Sequence, residues 1–320
     1  MSKTMRAFAA TAIGPIQNCK VMDLPIPEPG PGDVRIRVIS AAFNPADAKT
    51  ILGKTGLLHA KGFPLVMGYD VSGVVDALGA GVEDLHIGAE VFGMLAYSRR
   101  TQFGSLAEYT IVPARWLAEK PAHLDHDTAA ALATAGLTAL QGLRGPGRLK
   151  EGNRVLVTGS SGGVGALAIG VVRAVGGKAD AITSTGGAKL ARIVGAETVV
   201  DRSAPDFLSS LNGPYQIVYD AAAAYSMRTF RRVLAKGGTY VTTLPTLTLP
   251  LDVLTAPFLR RRIRLVMVKP SRADLLTLAD FTKQGLVVPI AERVPLANAA
   301  TALADYHAHG ARGKIVVRIS

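Results

Sequence analysis

The feature that most constrains this chain is a glycine-dense turn, Val155-Leu-Val-Thr-Gly-Ser-Ser-Gly-Gly-Val-Gly165. The apolar run at 155–158 reads as a buried strand, and the small residues after it open a helix expected over 164–175. Glycines at 162, 163 and 165 are expected to allow positive φ and a close approach to the backbone. The helix behind them presents unpaired N–H donors and a partial positive charge. That combination suits a pyrophosphate, so Ser160, Ser161, Gly162, Gly163, Val164 and Gly165 are the candidate dinucleotide contacts, with Ser160 in the first glycine position of G-x-G-x-x-G.

The same residues also satisfy G-x-S-x-G, the nucleophile elbow of hydrolases, with Ser161 as the nucleophile. Asp220 and His307 follow in the order such a triad needs. This reading leaves the first third of the chain and the added Val164-Gly165 without a purpose.

Residues 1–122 read as short strands cut by turns. Residues 35–39 alternate polar and apolar, residues 71–75 form a small-residue strand, and Pro29-Gly30-Pro31-Gly32 punctuates them. From 123 to 269 the rhythm changes to strand, helix, strand, with strands expected at 155–158, 179–183, 198–200, 215–219, 239–243 and 263–268. A helix is expected at 188–194. This alternation implies a parallel sheet with right-handed crossovers. After Pro270, Ser271 caps a helix running to Gln284 with Gly285 as its stop, and a helix at 296–307 precedes a last strand at 314–319. The tail is expected to return to the first domain.

The choice between dinucleotides depends on the end of the second strand of the parallel sheet. An acidic residue there would accept from ribose hydroxyls. Here the strand ends Thr183-Ser184-Thr185, followed by Lys189 and Arg192, and Asp180 lies too early. Hydroxyls with a nearby cation suit a 2′-phosphate, so NADPH is the expected cofactor, with Ser184, Lys189 and Arg202 as its contacts. Leu244, past the strand at 239–243, completes the candidate cofactor residues.

Composition bounds the alternatives. With 48% hydrophobic and 19% charged residues, the 320-residue chain has the profile of a folded two-domain protein. Its one cysteine, Cys19, rules out an internal disulfide framework. No apolar run reaches the roughly 18 residues a spanning helix needs. Residues 7–13, behind Lys3 and Arg6, are cut by Gly14-Pro15 and read as a first strand, not a leader, so a cytoplasmic location is expected. The net charge is +12, part of it in Arg228, Arg231, Arg232 and Arg260 to Arg264. No nucleic-acid motif or aromatic interleaving accompanies these arginines, so they are read as solvated faces and no nucleic-acid partner is expected. A cofactor-binding protein with regulatory or RNA-associated duty and weak catalysis is the runner-up reading, carried by that charge alone.

Several motifs in order give the chain a resemblance. They are Asn44-Pro-Ala-Asp-Ala-Lys49, Gly68-Tyr-Asp-Val-Ser-Gly-Val-Val75, Ala135-Gly-Leu-Thr-Ala139, Ser161-Gly-Gly-Val-Gly165, Lys236-Gly-Gly238 and Gly313-Lys-Ile-Val316. Over essentially its whole length the chain resembles the medium-chain dehydrogenase/reductase superfamily, in its zinc-free quinone oxidoreductase and enone reductase branch. The resemblance implies an α/β fold, with a GroES-like β-rich catalytic domain from 1–122 and 270–320. A doubly wound parallel-sheet Rossmann domain would span 123–269. It also implies a homodimer joined through the strand at 263–268, and places Thr138 beside the nicotinamide.

Zinc-dependent members carry a cysteine where Asn44 stands and a histidine where Tyr69 stands, so no metal is expected. His123 and His126 are close enough in sequence to share a helix face, but no soft ligand accompanies them. Many quinone oxidoreductases have a tyrosine where this chain has Lys49 and another near Thr55; both are lacking here. The forms Asn-Pro-x-Asp-x-Lys and Gly-Tyr-Asp are similar to enone and alkenal reductases, which shifts the expected small-molecule substrate toward α,β-unsaturated carbonyls. Lys49 is the candidate cation for the developing negative charge on the substrate oxygen, with Asn44 as a positioning amide and Tyr69 as a donor. Tyr97 is read as a pocket wall or a packed loop residue.

Overall fold

The computed structural model describes residues 3–54, 62–97, 103–245 and 247–319. Thr55 and His59 lie outside them. The chain divides into two compact units: Met1–Thr134 with Lys269–Leu276 and Ile290–Ser320, and Ala135–Val268 with Thr277–Pro289.

In the first unit, β1 (Thr4–Ala10) pairs antiparallel with β2 (Cys19–Pro25). Next come β3 (Asp33–Ala42), the short helix α1 (Pro45–Ile51), β4 (Leu65–Val66) and β5 (Asp70–Leu78). Then follow β6 (Glu90–Met94), β7 (Tyr109–Pro113) and β8 (Leu117–Glu119). The central β3–β5 pair is irregular, and Gly73 sits where an added Cβ would lie 2.2 Å from the Arg37 carbonyl oxygen. Only glycine fits that approach. The core between these strands gathers Phe8, Ile36, Val38, Phe43, Val71 and Val91.

Helix α2 (His126–Arg144) carries the division between the units, which falls after Thr134. No helix is expected there from sequence alone. Its alanine-rich stretch lacks the polar face that makes an amphipathic period readable, because Ala129 to Ala133 are all buried. His126 opens this helix while His123 precedes it in a turn, so the two do not share a helix face.

The second unit contains β9 (Arg154–Thr158), α3 (Gly163–Ala174), β10 (Lys178–Thr183), α4 (Ala188–Ile193) and β11 (Val199–Asp201). It continues with β12 (Tyr215–Asp220), β13 (Leu234–Thr242), α5 (Leu249–Thr255) and β14 (Arg262–Leu265). Among the described residues these strands form one parallel sheet in the order β11-β10-β9-β12-β13-β14. Counted within the unit, that is 3-2-1-4-5-6, the doubly wound order expected for dinucleotide binding. The first strand, β9, is central and buried on both faces, which is why its sequence is a continuous apolar run.

The chain then forms α6 (Arg272–Lys283), β15 (Ile290–Pro295), α7 (Ala299–His309) and β16 (Lys314–Arg318). The Asp274 N–H donates to the Ser271 hydroxyl at 3.3 Å and Gly285 has φ +94°, the expected cap and stop of α6. β16 pairs antiparallel with β3, so the tail rejoins the first unit's sheet. No helix among the described residues is long and apolar enough to cross a membrane.

Candidate functional site

In the second unit the glycine turn follows β9 at the point where strand order reverses, the place where ligands bind in such sheets. Its glycines divide the labour differently from the sequence expectation. Positive φ belongs to Gly159, at +63°, whereas Gly162 has φ −81° and Gly163 and Gly165 are helical. Gly165 is needed for another reason. A Cβ there would lie 2.3 Å from the Gly159 carbonyl oxygen, so only a hydrogen lets the helix pack on the turn.

Gly162 forms the N-cap of α3 and has no side chain to cap it. The first-turn N–H groups of Gly163, Val164 and Gly165 therefore have no side-chain cap, and such helix N-termini suit a phosphate. The buried Ser160 hydroxyl donates to the Ile182 carbonyl at 3.0 Å and anchors the turn to β10. The Thr183 hydroxyl donates to Ser161 Oγ at 3.0 Å. Gly187 keeps this corner open, since a Cβ there would lie 2.6 Å from the Ser161 Cβ. These features fit a dinucleotide diphosphate.

Around the second strand's end, Ser184 is half-buried, and Lys189 and Arg202 are exposed. The Arg202 N–H donates to the Thr183 carbonyl at 2.8 Å, which brings that arginine's backbone alongside the strand end. Thr138 is buried on α2 and its carbonyl accepts from the Tyr219 hydroxyl at 2.8 Å. Leu244 is exposed at the end of β13, its carbonyl held by the Thr242 hydroxyl at 2.9 Å. Asp180 is a buried structural acceptor, bonded by Arg154, Tyr215 and the Thr198 N–H.

One acidic residue that sequence reading left out stands at this corner. Asp201 ends β11 in register with Thr183, and its Oδ2 accepts from the Thr185 hydroxyl at 2.5 Å. The hydroxyls at 183–185 thus do have a carboxylate beside them. It comes from the neighbouring strand, which a scan along the second strand does not reach.

The hydrolase alternative does not survive this geometry. Asp220 is fully buried, accepting from Thr158 on Oδ1 at 2.5 Å and from Tyr240 and the Tyr225 N–H on Oδ2 at 2.6 and 3.0 Å. Three donors within the second unit make it a buried structural acceptor.

In the first unit, Asn44, Asp47, Asp70 and Lys314 form a buried polar cluster. The Lys314 ammonium donates to the Phe43 carbonyl at 2.7 Å, to Asn44 Oδ1 at 2.7 Å and to Asp70 Oδ2 at 2.9 Å, which uses all three of its protons. Asn44 Nδ2 donates to the Ala42 carbonyl at 3.3 Å and to Asp70 at 2.9 Å. Asp70 Oδ1 accepts the Thr134 N–H at 2.7 Å. Asn44 is therefore held inside the protein by every polar atom of its side chain. Asp70 and Lys314 were visible in the quoted motifs, but nothing local pairs residues 244 positions apart.

The Asp47 carboxylate accepts the Asn44 N–H at 2.7 Å and the Gly68 N–H at 3.0 Å. Burial pushes Asp47 up to about 7, against those two bonds. Lys49 sits half-buried on α1, and burial, followed by the charge of Lys54, lowers its pKa from the ordinary lysine value. Tyr69 is buried, shares a hydrogen bond with the Thr50 hydroxyl at 3.2 Å and meets the Tyr97 ring edge-on at 4.5 Å. Burial raises the pKa of Tyr69, keeping its phenol protonated as a donor.

This cluster does not fit a metal of the zinc-dependent kind. The Asn44 oxygen already holds an ammonium, and a cation set beside Lys314 would be repelled. No group of three or more His, Cys, Asp or Glu among the described residues is arranged to hold a metal ion.

Residues 30–122 match the family model described as alcohol dehydrogenase GroES-like domain, and residues 194–317 match the one described as zinc-binding dehydrogenase. The NADPH-dependent alkenal/one oxidoreductase of Arabidopsis thaliana chloroplasts is 33% identical over 325 residues, covering 98% of this chain and 80% of that protein. The 2-methylene-furan-3-one reductase of Solanum lycopersicum is 36% identical over 243 residues, 74% of this chain and 61% of that protein, so the match spans less than two thirds of its length. The solved quinone oxidoreductase from Coxiella burnetii superposes with a TM-score of 0.88 at 29% identity, over 99% of this chain and 100% of that one.

Proposed function

The chain belongs to the medium-chain dehydrogenase/reductase superfamily, in its zinc-free quinone oxidoreductase branch, and from that premise we propose that it is an NADPH-dependent reductase of α,β-unsaturated ketones, aldehydes or quinones. The observation that carries the reading is the turn after β9, where Gly165 packs against Gly159 and α3 starts without a side-chain cap. Relatives whose names specify an alkenal/one oxidoreductase and a furanone reductase favour the enone class, with quinones next.

A bound reduced nicotinamide supplies the hydride for the electron-poor carbon of the conjugated carbonyl. The chain's own residues bind and orient. The backbone of 161–165 holds the diphosphate, Ser184, Lys189 and Arg202 receive the 2′-phosphate, and Thr138 and Leu244 bound the nicotinamide end. Negative charge develops on the substrate oxygen, and the Lys49 ammonium stabilises it there. Its lowered pKa makes it a readier proton donor than an ordinary lysine. Tyr69 is the second donor. Asn44 acts indirectly: bound to Lys314 and Asp70, it fixes the start of α1, the helix that carries Lys49.

The test is NADPH oxidation against a panel of quinones, enones and alkenals. Turnover with an enone or alkenal is expected, and no turnover with any of the three classes would sink the reading. Cofactor form is tested by binding. A hydrogen bond to a charged group contributes about 1.5–3 kcal/mol, so Lys189→Ala should weaken NADPH about ten- to a hundred-fold and leave NADH unchanged. Lys189→Ala combined with Arg202→Ala should be non-additive if both cations share the phosphate.

A further inference from the structure

The corner that would receive the 2′-phosphate is not purely cationic. β10 and β11 run parallel with Thr183 opposite Asp201, so the third strand delivers a carboxylate to the tip of the second. Asp201 is held there from two sides. Its Oδ2 accepts the Thr185 hydroxyl at 2.5 Å, and its Oδ1 accepts the Ser203 N–H at 2.8 Å. Thr185 thereby spends its only proton on a protein carboxylate and cannot donate it to a phosphate. Meanwhile Arg202, the next residue, is tied by its N–H to the Thr183 carbonyl. A carboxylate and the backbone of the adjacent arginine thus flank the same strand end.

We propose that Asp201 is a specificity-determining residue that limits the preference for NADPH, taking from the third strand the part usually played by an acidic residue at the end of the second. Its charge opposes a 2′-phosphate, and its lone pairs can accept from the ribose hydroxyls of NADH. The protein therefore retains NADH binding despite Lys189 and Arg202, and the ratio of the two affinities is set by opposing charges on one corner. This rests on the dinucleotide reading of the glycine turn.

The test is calorimetric titration of the full chain with NADPH and with NADH, for the unmutated protein and for Asp201→Asn and Asp201→Glu. Asparagine keeps an acceptor for Thr185 while removing the charge. A phosphate carries nearly two charges, so Asp201→Asn is expected to raise the NADPH-to-NADH affinity ratio about ten-fold at low salt. The gain should shrink at about 1 M salt, where exposed charges are screened within roughly 3 Å. Asp201→Glu, which keeps the charge, should leave the ratio near that of the unmutated chain. An unmoved ratio in Asp201→Asn, or an equal rise in Asp201→Glu, overturns the assignment to Asp201 alone. If the unmutated chain binds neither dinucleotide, the cofactor reading falls and takes this one with it.

Discussion

The Lys314 ammonium lies 2.9 Å from the Asp70 carboxylate, with both side chains buried and their positions 244 residues apart. The pair joins β16, at the end of the chain, to the first residue of β5, and through Asp70 it also holds Asn44 and the backbone of α2. Truncating either partner leaves the other charge without compensation. Asp70→Leu and Lys314→Met should each destabilise the protein by about 3–5 kcal/mol in denaturant unfolding. The double variant should lose clearly less than the sum, because neither charge then remains unpaired. Additive losses would show that the two residues do not stabilise each other.

Lys49 sets a pH expectation. Burial, then the charge of Lys54, lowers its pKa from the ordinary lysine value. The ammonium exists below that lowered value and is lost as pH rises through it, so kcat should fall on the alkaline side earlier than an unperturbed lysine would dictate. Lys49→Met should reduce kcat about 100-fold and abolish that alkaline limb. Lys49→Arg should keep part of the rate with no limb in the accessible range. A pH profile identical in Lys49→Met and the unmutated enzyme would remove Lys49 from the chemistry.

Two neighbouring glycines should behave differently. A Cβ on Gly165 would stand 2.3 Å from the Gly159 carbonyl oxygen, whereas one on Gly162 meets nothing nearer than 3.5 Å at φ −81°. Gly165→Ala should destabilise by about 1–3 kcal/mol, as overpacking does, and weaken dinucleotide binding. Gly162→Ala should leave the melting temperature nearly unchanged. Equal stabilities for the two variants would contradict the close approach of α3 to its own turn.

Metal should be dispensable. By the family resemblance, Asn44 and Tyr69 stand where zinc-dependent members would place ligands, and the Asn44 oxygen is bound by Lys314 at 2.7 Å. Extended chelation should leave turnover intact. Elemental analysis finding one tightly held zinc per chain, with activity lost on its removal, would defeat this.

Assembly should follow from the edge of the parallel sheet. Among the described residues β14 ends the parallel sheet, and around it Phe258, Met267 and Leu254 are 85%, 72% and 67% exposed. Sedimentation at micromolar concentration should show a dimer, since an unpaired edge beside apolar side chains is a self-association surface. Leu254→Asp with Phe258→Asp should shift it toward monomer. A clean monomer for the unmutated chain would rule out the edge as an interface.

Much of the parallel-sheet unit was legible in the residues because its signals are local. The apolar run of β9, the turn at Gly159 and the helix after it occupy adjacent positions, so period and composition reveal them. The cap at Ser271 and the stop at Gly285 are local in the same way. Helix α2 escaped because its buried alanines make no amphipathic contrast.

What tertiary structure alone decided is the pairing of charges. The sequence by itself determined that a strand, a glycine turn and a helix N-terminus would follow one another, since those constraints act within a few residues. It could not tell that Asn44 would be consumed by Lys314 and Asp70, nor that Asp201 would reach Thr185 from the next strand. A hydrogen bond is a relation in space over about 3 Å, and between residues far apart in the chain that distance exists only once the sheets have closed.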